Sequence, residues 1–337
     1  MVIERSRYLD KLIKKRKNGR VKIITGIRRC GKSFLLFELY HKFLTDNAVP
    51  EDAIIEIKLD DLENARYQNP FELDKHVRSL VADKNRFFYV FIDEIQRVYS
   101  VPNPYVNLPE AKIGFGDVVL GLMKIKNVDL YISGSNSKML SSDIHTDFRD
   151  RGTEIRVNPL AYKEFYSAFQ GDERDAWDEY FTYGGMPYAL FLDSHEEKSR
   201  YLRDLVEKTY ISDVVERHKI DNDISVLEDL LNYVSSAVGS LTNAHKLSNT
   251  FKSVKQVSVK SETIARYLGY FIDAFLLRKA LRYDVKGRKY IDTPCKYYFS
   301  DVGLRNARLN FRQTEENHIM ENIIYNELVV REFDVDV

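Results

Sequence analysis

The eight residues Gly26-Ile27-Arg28-Arg29-Cys30-Gly31-Lys32-Ser33 constrain the fold of this chain more than any other stretch of it. The glycines let the backbone curl so that successive N–H groups point inward at an anion. A helix starting at Lys32 adds the positive end of its dipole. Such a loop works only between a strand that aims it and a helix that backs it. Both are legible here. Val21-Lys22-Ile23-Ile24-Thr25 is β-rich and precedes the loop, and a helical pattern runs from Lys32 to about Leu44.

The rest of the first half continues that pattern. Residues 7–17 read as a short basic helix with Tyr8, Leu9, Leu12 and Ile13 on one face. A strand is expected over 53–59, and a helix begins at Pro70, with Phe71, Leu73, Val77, Leu80 and Val81 at helical spacing. Phe87–Ile92 is almost continuously apolar, as in a strand buried on both sides. Residues 99–116 read as a loop, 117–126 as a helix, and 129–133 and 155–157 as strands. Strands alternating with helices predict an α/β fold, a P-loop NTPase with a three-layer parallel sheet.

The same residues predict chemistry. Lys32 would reach the β- and γ-phosphates of ATP, and Ser33 would place its hydroxyl on Mg2+. Phe87-Phe88-Tyr89-Val90-Phe91-Ile92 ends in Asp93-Glu94, which sets two carboxylates at the C-terminal edge of the sheet, where open α/β folds bind ligands. Asp93 would hold Mg2+, and Glu94 would polarise the attacking water. Beyond the strand at 129–133, Asn136 or Ser135 is the candidate to orient that water; the competing reading is a helix N-cap, where Ser and Asn are favoured. Arg149 or Arg151 would reach the γ-phosphate of a neighbouring subunit. Cys30 within the loop is either an accessible thiol or simply a small residue that fits.

After Pro159 the pattern changes. Residues 160–237 read as helical, broken at Tyr183-Gly184-Gly185-Met186-Pro187. Residues 172–229 carry 16 acidic against 7 basic side chains, and 245–296 carry 12 basic against 4 acidic. The basic stretch reads as two helices, at 245–252 and 261–277, then β-like runs at 279–285 and 295–299 around Lys286-Gly287-Arg288. That is the outline of a winged helix. Its basic residues, including Lys255, Lys260, Arg266, Arg282 and Lys286 to Lys289, either meet DNA phosphates or dock on the acidic stretch. A last helix begins near Glu315 and reaches Val330, and Phe333–Val337 looks like the opening of a strand.

Composition excludes other classes. Lys plus Arg equals Asp plus Glu at 51 each, so net charge selects no partner. Two distant cysteines, Cys30 and Cys295, make no disulfide scaffold. The N-terminus lacks the apolar core of a signal peptide, and no run is long and apolar enough to span a membrane, so a cytoplasmic address is expected. The seven histidines show no metal-ligand spacing. The 22 tyrosines and 19 phenylalanines mostly follow helix or strand periodicity and read as core.

Six segments together resemble a known family. They are Ile24-Thr25-Gly26-Ile27-Arg28-Arg29 with Gly31-Lys32-Ser33; Phe91-Ile92-Asp93-Glu94-Ile95-Gln96; Ser133-Gly134-Ser135-Asn136-Ser137; Asn158-Pro159-Leu160 with Glu164-Phe165; Gly184-Gly185-Met186-Pro187; and Phe299-Ser300-Asp301-Val302-Gly303-Leu304. The chain resembles the prokaryotic AAA-type ATPases that carry a C-terminal domain of unknown function. The resemblance implies ATP binding through residues 26–33 (Walker A) with Phe34, and through Asp93 and Glu94 (Walker B), with Gln96 as a further site residue. It implies an ATPase domain over 1–160, a helical lid over 161–222 and a winged-helix-like α+β domain over 223–312. It also implies the start of a restriction-endonuclease-like domain over 313–337. Glu321 matches the first helix of that last fold. The family's metal-binding carboxylates and lysine lie further on than Val337, so the domain reads as truncated and no nuclease activity is expected. The expected function is a Mg2+-dependent ATPase that couples turnover to conformational change, working alone or as a homo-oligomer. The alternative is an ATP-gated regulatory switch with little turnover that binds DNA through 245–296.

Overall fold

The computed structural model describes residues 2–108, 110–135, 151–220, 224–283, 294–312 and 315–337. The chain forms two compact units. One holds residues 4–26 and 31–157, and the other holds 1–3, 27–30 and 158–337.

The first unit is an α/β P-loop NTPase fold around a parallel sheet. Helix α1 (Ser6–Lys15) buries Tyr8 and Leu12. Then follow β1 (Val21–Thr25), the continuous helical run α2 over 32–46, β2 (Ile54–Lys58) and α3 (Pro70–Leu80). Next come β3 (Phe88–Asp93), a two-stranded ribbon of β4 (Val101–Pro102) and β5 (Lys112–Ile113), α4 (Phe115–Leu122), β6 (Val128–Gly134) and β7 (Gly152–Arg156). The strand order is β2-β3-β6-β1-β7, with every neighbour parallel. Strands β1 and β3 are buried along their whole length, as their largely apolar runs require, while β2 and β7 at the edges are buried only in part. Register sets the strand ends level: Thr25 pairs with Gly134, and Lys58 with Asp93. Phe91, fully buried, meets Phe37, Tyr40 and Tyr131 at ring distances of 5.1–6.1 Å.

Local chemistry sets the helix ends. Pro70 opens α3 behind an Asn69 cap whose Oδ1 accepts the Phe71 N–H at 2.9 Å. Helix α4 starts two residues before the expected 117 and stops at Leu122. There Asp117, at the third helical position, accepts the Gly114 N–H at 2.9 Å and fixes the start. The stretch read as a loop, 99–116, contains the β4–β5 ribbon.

The second unit contains α5 (Tyr162–Ala168), α6 (Glu173–Tyr183), the continuous run α7 over 195–218 and α8 (Ile224–Ser236). It continues with α9 over 244–255, α10 (Ser261–Asp273), the antiparallel pair β8 (Leu277–Ala280) and β9 (Lys296–Phe299), α11 (Val302–Arg308) and α12 (Glu316–Val330). Helix α10 ends four residues before the expected 277, because Phe275 adopts a φ of +58° and turns the chain into β8. The first β-like run therefore lies at 277–280 rather than 279–285. Residues 333–337 form no strand, although the Val337 N–H donates to the Leu281 carbonyl at 2.8 Å. One core cluster joins Leu160, Phe165, Ala176, Tyr180, Val302 and Ile323.

Three of the sequence segments that resemble family marks interlock in this unit. The Leu160 N–H donates to the Gly185 carbonyl at 2.7 Å, and the Gly185 N–H donates to Asp301 Oδ2 at 2.6 Å. Asp301 Oδ1 also caps α11 by accepting the Leu304 N–H at 3.1 Å. Glycine is required at the turn. A Cβ on Gly185 would stand 2.1 Å from the Leu160 carbonyl oxygen, and Gly184 has a φ of +71°. Their place in the sequence is thus explained by packing. Burial pushes the Asp301 carboxyl up to about 6, against the opposing pull of the N–H groups of Gly185, Leu304 and Gly303.

Candidate functional site

The site is built at the C-terminal edge of the sheet, where the ends of β1, β3 and β6 lie level. After β1 the chain turns through Gly26, with a φ of +140°, and re-enters a helix through Gly31, with a φ of +96°. Both values belong to glycine. Lys32, only 4% exposed, folds back so that Nζ donates to the Gly26 carbonyl at 3.1 Å. Ser33 follows on the exposed side of the helix start.

Asp93 closes β3. Its Oδ2 accepts the Ser33 hydroxyl at 2.6 Å, and its Oδ1 accepts the Ser133 hydroxyl and the Glu94 N–H, the latter at 3.1 Å. Three parts of the chain, about 40 to 100 residues apart in sequence, therefore converge on one buried carboxylate. Glu94 sits just past the strand with a φ of +52°, a left-handed conformation that a non-glycine residue adopts at a cost of about 1–2 kcal/mol. Its Oε2 accepts a hydrogen bond from the Gln96 amide. The other end of that amide, Oε1, is buried with no hydrogen-bond partner among the described residues. Thr25 Oγ1 donates to Glu154 Oε1 at 2.6 Å, which ties the base of the loop to β7.

The expectations fall out unevenly. Gly26, Gly31, Lys32, Ser33, Asp93, Glu94 and Gln96 come together in the sheet-bearing unit. Phe34 follows Ser33 on the helix and is exposed. Ile27, Arg28, Arg29 and Cys30, the apex of the loop, group with the other unit. Cys30 is fully buried, so it is the small residue that fits and not an accessible thiol. Asn136 and Arg149 lie outside the described residues, and so does the expected wing tip, Lys286 to Lys289.

Arg151 does not join this chain's own site. Its carbonyl accepts the Val21 N–H at 3.1 Å, at the opposite end of β1. A five-residue strand separates the two edges by about 17 Å.

Sequence reasoning did not single out Ser133, which touches Asp93; its candidates beyond the strand, Asn136 or Ser135, have the different role of orienting the attacking water. The parallel register pairs Ile92 with Ile132, so the next residues, Asp93 and Ser133, face the same way. That signal requires knowing that β6 lies between β1 and β3.

The basic stretch at 245–296 spends several of its charges internally. Lys255 meets Asp229 at 2.9 Å and Lys296 meets Glu321 at 2.6 Å, while Arg278 donates to Asn158. The first of these pairs joins it to the acidic stretch. Glu321 also accepts the Tyr298 hydroxyl at 2.5 Å.

Comparison with known proteins agrees with this geometry. Residues 18–166 match a family model described as an AAA domain, and residues 174–315 match a domain of unknown function (DUF8612). An uncharacterized protein of Haemophilus influenzae is 30% identical over 341 residues, covering 100% of this chain and 81% of the relative. The uncharacterized protein MJ1544 of Methanocaldococcus jannaschii is 30% identical over 333 residues, covering 94% and 68%. The solved structure of the Walker-type ATPase PABY2304 of Pyrococcus abyssi aligns with a TM-score of 0.60 at 15% identity, covering 91% of this chain and 96% of that one, a likeness of fold. The chain belongs to the family of these bacterial and archaeal relatives, and its sheet-bearing part is an AAA domain with the P-loop fold of AAA-type ATPases.

Proposed function

We propose that this protein binds ATP with Mg2+ and hydrolyses it. The observation that carries the reading is the hydrogen bond from Ser33 Oγ to Asp93 Oδ2 at 2.6 Å. It sets a hydroxyl and a carboxylate, two hard oxygen donors, at one point next to Lys32. That donor set fits Mg2+, which takes few protein oxygens and keeps several waters. Bound there, the ion would neutralise charge on the β- and γ-phosphate oxygens.

The chain's own residues do the remainder. The curled main chain and Lys32 bind the phosphates. Ser133 holds Asp93 in place. Glu94, oriented by Gln96, takes the proton of the attacking water, and the buried Gln96 Oε1 is a further acceptor beside it. Arg151, remote from this chain's site, is assigned to the site of a neighbouring copy in a homo-oligomer. Within the C-terminal unit we assign 161–222 as a helical lid and 223–312 as a winged-helix-like part. Residues 313–337 are assigned as the opening of a further domain. Turnover would change the conformation of these parts.

Calorimetry with Mg·ATP and a phosphate-release assay test this. Lys32→Ala should lose binding and turnover together. Glu94→Gln should keep binding and lose turnover by about 100-fold or more. A flat calorimetric trace for the unmodified chain would sink the reading.

A second reading is an ATP-gated switch that contacts DNA and turns over slowly. It is favoured by the exposure of Lys252, Lys260 and Arg266 on α9, its following loop and α10, ahead of the β8–β9 ribbon. Its mark would be salt-dependent binding to duplex DNA that weakens when these three residues and Lys286, Arg288 and Lys289 are neutralised. Among the described residues no helix is long and apolar enough to cross a membrane.

A further inference from the structure

The apex of the phosphate loop is held from both ends of a single residue, Arg28. Its guanidinium Nη1 donates to both carboxylate oxygens of Asp213, at 2.7 and 2.8 Å. Its main-chain carbonyl accepts the Tyr210 hydroxyl at 2.9 Å. Tyr210 and Asp213 are three residues apart on α7 and therefore share a face of that helix. Tyr210 lies within the π-helical segment Leu205–Ile211, a local widening of the helix of the kind often found at functional positions.

Resting on the ATP-binding reading above, we propose that Tyr210 and Asp213 are positioning residues for the phosphate loop, making its capacity to bind ATP depend on α7 of the C-terminal unit. The peptide link from Arg28 to Arg29 is trans and planar, so its C=O and N–H point in opposite directions. Anchoring the Arg28 oxygen on Tyr210 therefore fixes the direction of the Arg29 N–H, which points away from Tyr210. Arg29 itself has a φ of +66°, a left-handed conformation that a non-glycine residue keeps only when its surroundings hold it. The Tyr210 hydroxyl is a dependable donor, because burial raises its pKa well above the ordinary value. The Asp213 carboxylate holds the other end of Arg28, which keeps that residue from turning at the apex of the loop.

The linkage is reciprocal. If α7 favours the loop shape that ATP needs, bound ATP must favour the grip by the same factor. Arg28 and Asp213 keep 38% and 26% of their side chains exposed, so the effect belongs at the weak end of coupling energies.

The test is a double-mutant cycle on the full chain, with Mg·ATP affinity read by calorimetry and turnover by phosphate release. Asp213→Ala and Tyr210→Phe should each raise the Kd and KM for Mg·ATP about fivefold, with kcat within about twofold. The Asp213→Ala loss should disappear in an Arg28→Ala background, and it should shrink at high salt, as expected of a partly exposed ion pair. The nucleotide-free melting temperature should hold, which separates positioning from structural damage. An equal loss in both Arg28 backgrounds, or no loss with the unmodified chain binding normally, overturns the proposal alone. Failure of the unmodified chain to bind Mg·ATP overturns the ATP-binding reading and this inference together.

Discussion

Removing the carboxylate of Asp129 should destabilise the sheet-bearing unit more than almost any other single change. Asp129 on β6 faces Lys22 on β1. Lys22 is wholly buried and Asp129 is 2% exposed. Three donors converge on this carboxylate: Lys22 Nζ, the Tyr131 hydroxyl at 2.7 Å and the Lys17 N–H at 2.8 Å. The hydroxyls of Tyr131 and Tyr40 are in turn 2.6 Å apart. Burial pulls the Lys22 pKa below its ordinary 10.5, and Asp129 opposes that pull. Asp129→Ala takes away the opposing charge and the shared acceptor at once. An uncompensated buried charge costs about 3–5 kcal/mol, against a total stability of about 5–15 kcal/mol. At about 2–4 °C per kcal/mol, the melting temperature should fall by about 6–20 °C.

The sign with pH is also determined. Without Asp129 the folded-state pKa of Lys22 drops further, so between that lowered value and 10.5 the unfolded chain holds more protons than the folded one. Stability then rises with pH across that window, and the variant should recover part of its loss at pH 9 relative to pH 7. Lys22→Met combined with Asp129→Leu should be more stable than Asp129→Ala, since no unpaired charge is left behind. Urea and thermal unfolding followed by tyrosine and tryptophan fluorescence measure both variants beside the unmodified chain. A melting temperature for Asp129→Ala within about 2 °C of the unmodified chain would refute the reasoning. So would a double variant weaker than the single one.

Two further outcomes follow from named contacts. Ser133→Ala removes the hydroxyl donor on Asp93 Oδ1 without changing the shape of the strand end. A hydrogen bond to a charged group is worth about 1.5–3 kcal/mol, so kcat should fall about 10- to 100-fold in a phosphate-release assay with Mg2+ titrated; an unchanged kcat contradicts the placement. Asp301 titrates near 6 in the folded chain against an ordinary 3.8, so the folded state binds its proton more readily. Its contribution is present below about pH 4 and is lost as pH rises through 6, by about 3 kcal/mol. Asp301→Asn should flatten that part of the stability profile between pH 4 and 7, and a profile parallel to that of the unmodified chain would exclude the effect.

Much of this molecule is written locally. Gly26, Gly31, Lys32 and Ser33 announce a phosphate loop because backbone curl, helix dipole and a lysine at fixed spacing are properties of neighbouring residues. The run from Phe87 to Ile92 announces a strand buried on both faces, and the carboxylates after it fall at the ligand-binding edge for the same local reason. Those segments specify an α/β P-loop fold from local chemistry alone.

What the tertiary structure decided are relations between segments far apart in sequence. The strand order put β6 between β1 and β3, and so brought Ser133 onto Asp93. The parallel register sent Arg151 to the far edge of the sheet. The Gly184-Gly185 turn gained its meaning only when Leu160 and Asp301 closed on it, since nothing adjacent to those glycines in sequence explains a missing Cβ. Periodicity and capping are settled within a few residues by sterics and hydrogen bonds. Which side chains meet across a hundred residues is settled by how the buried faces pack, and that information is distributed over the whole chain.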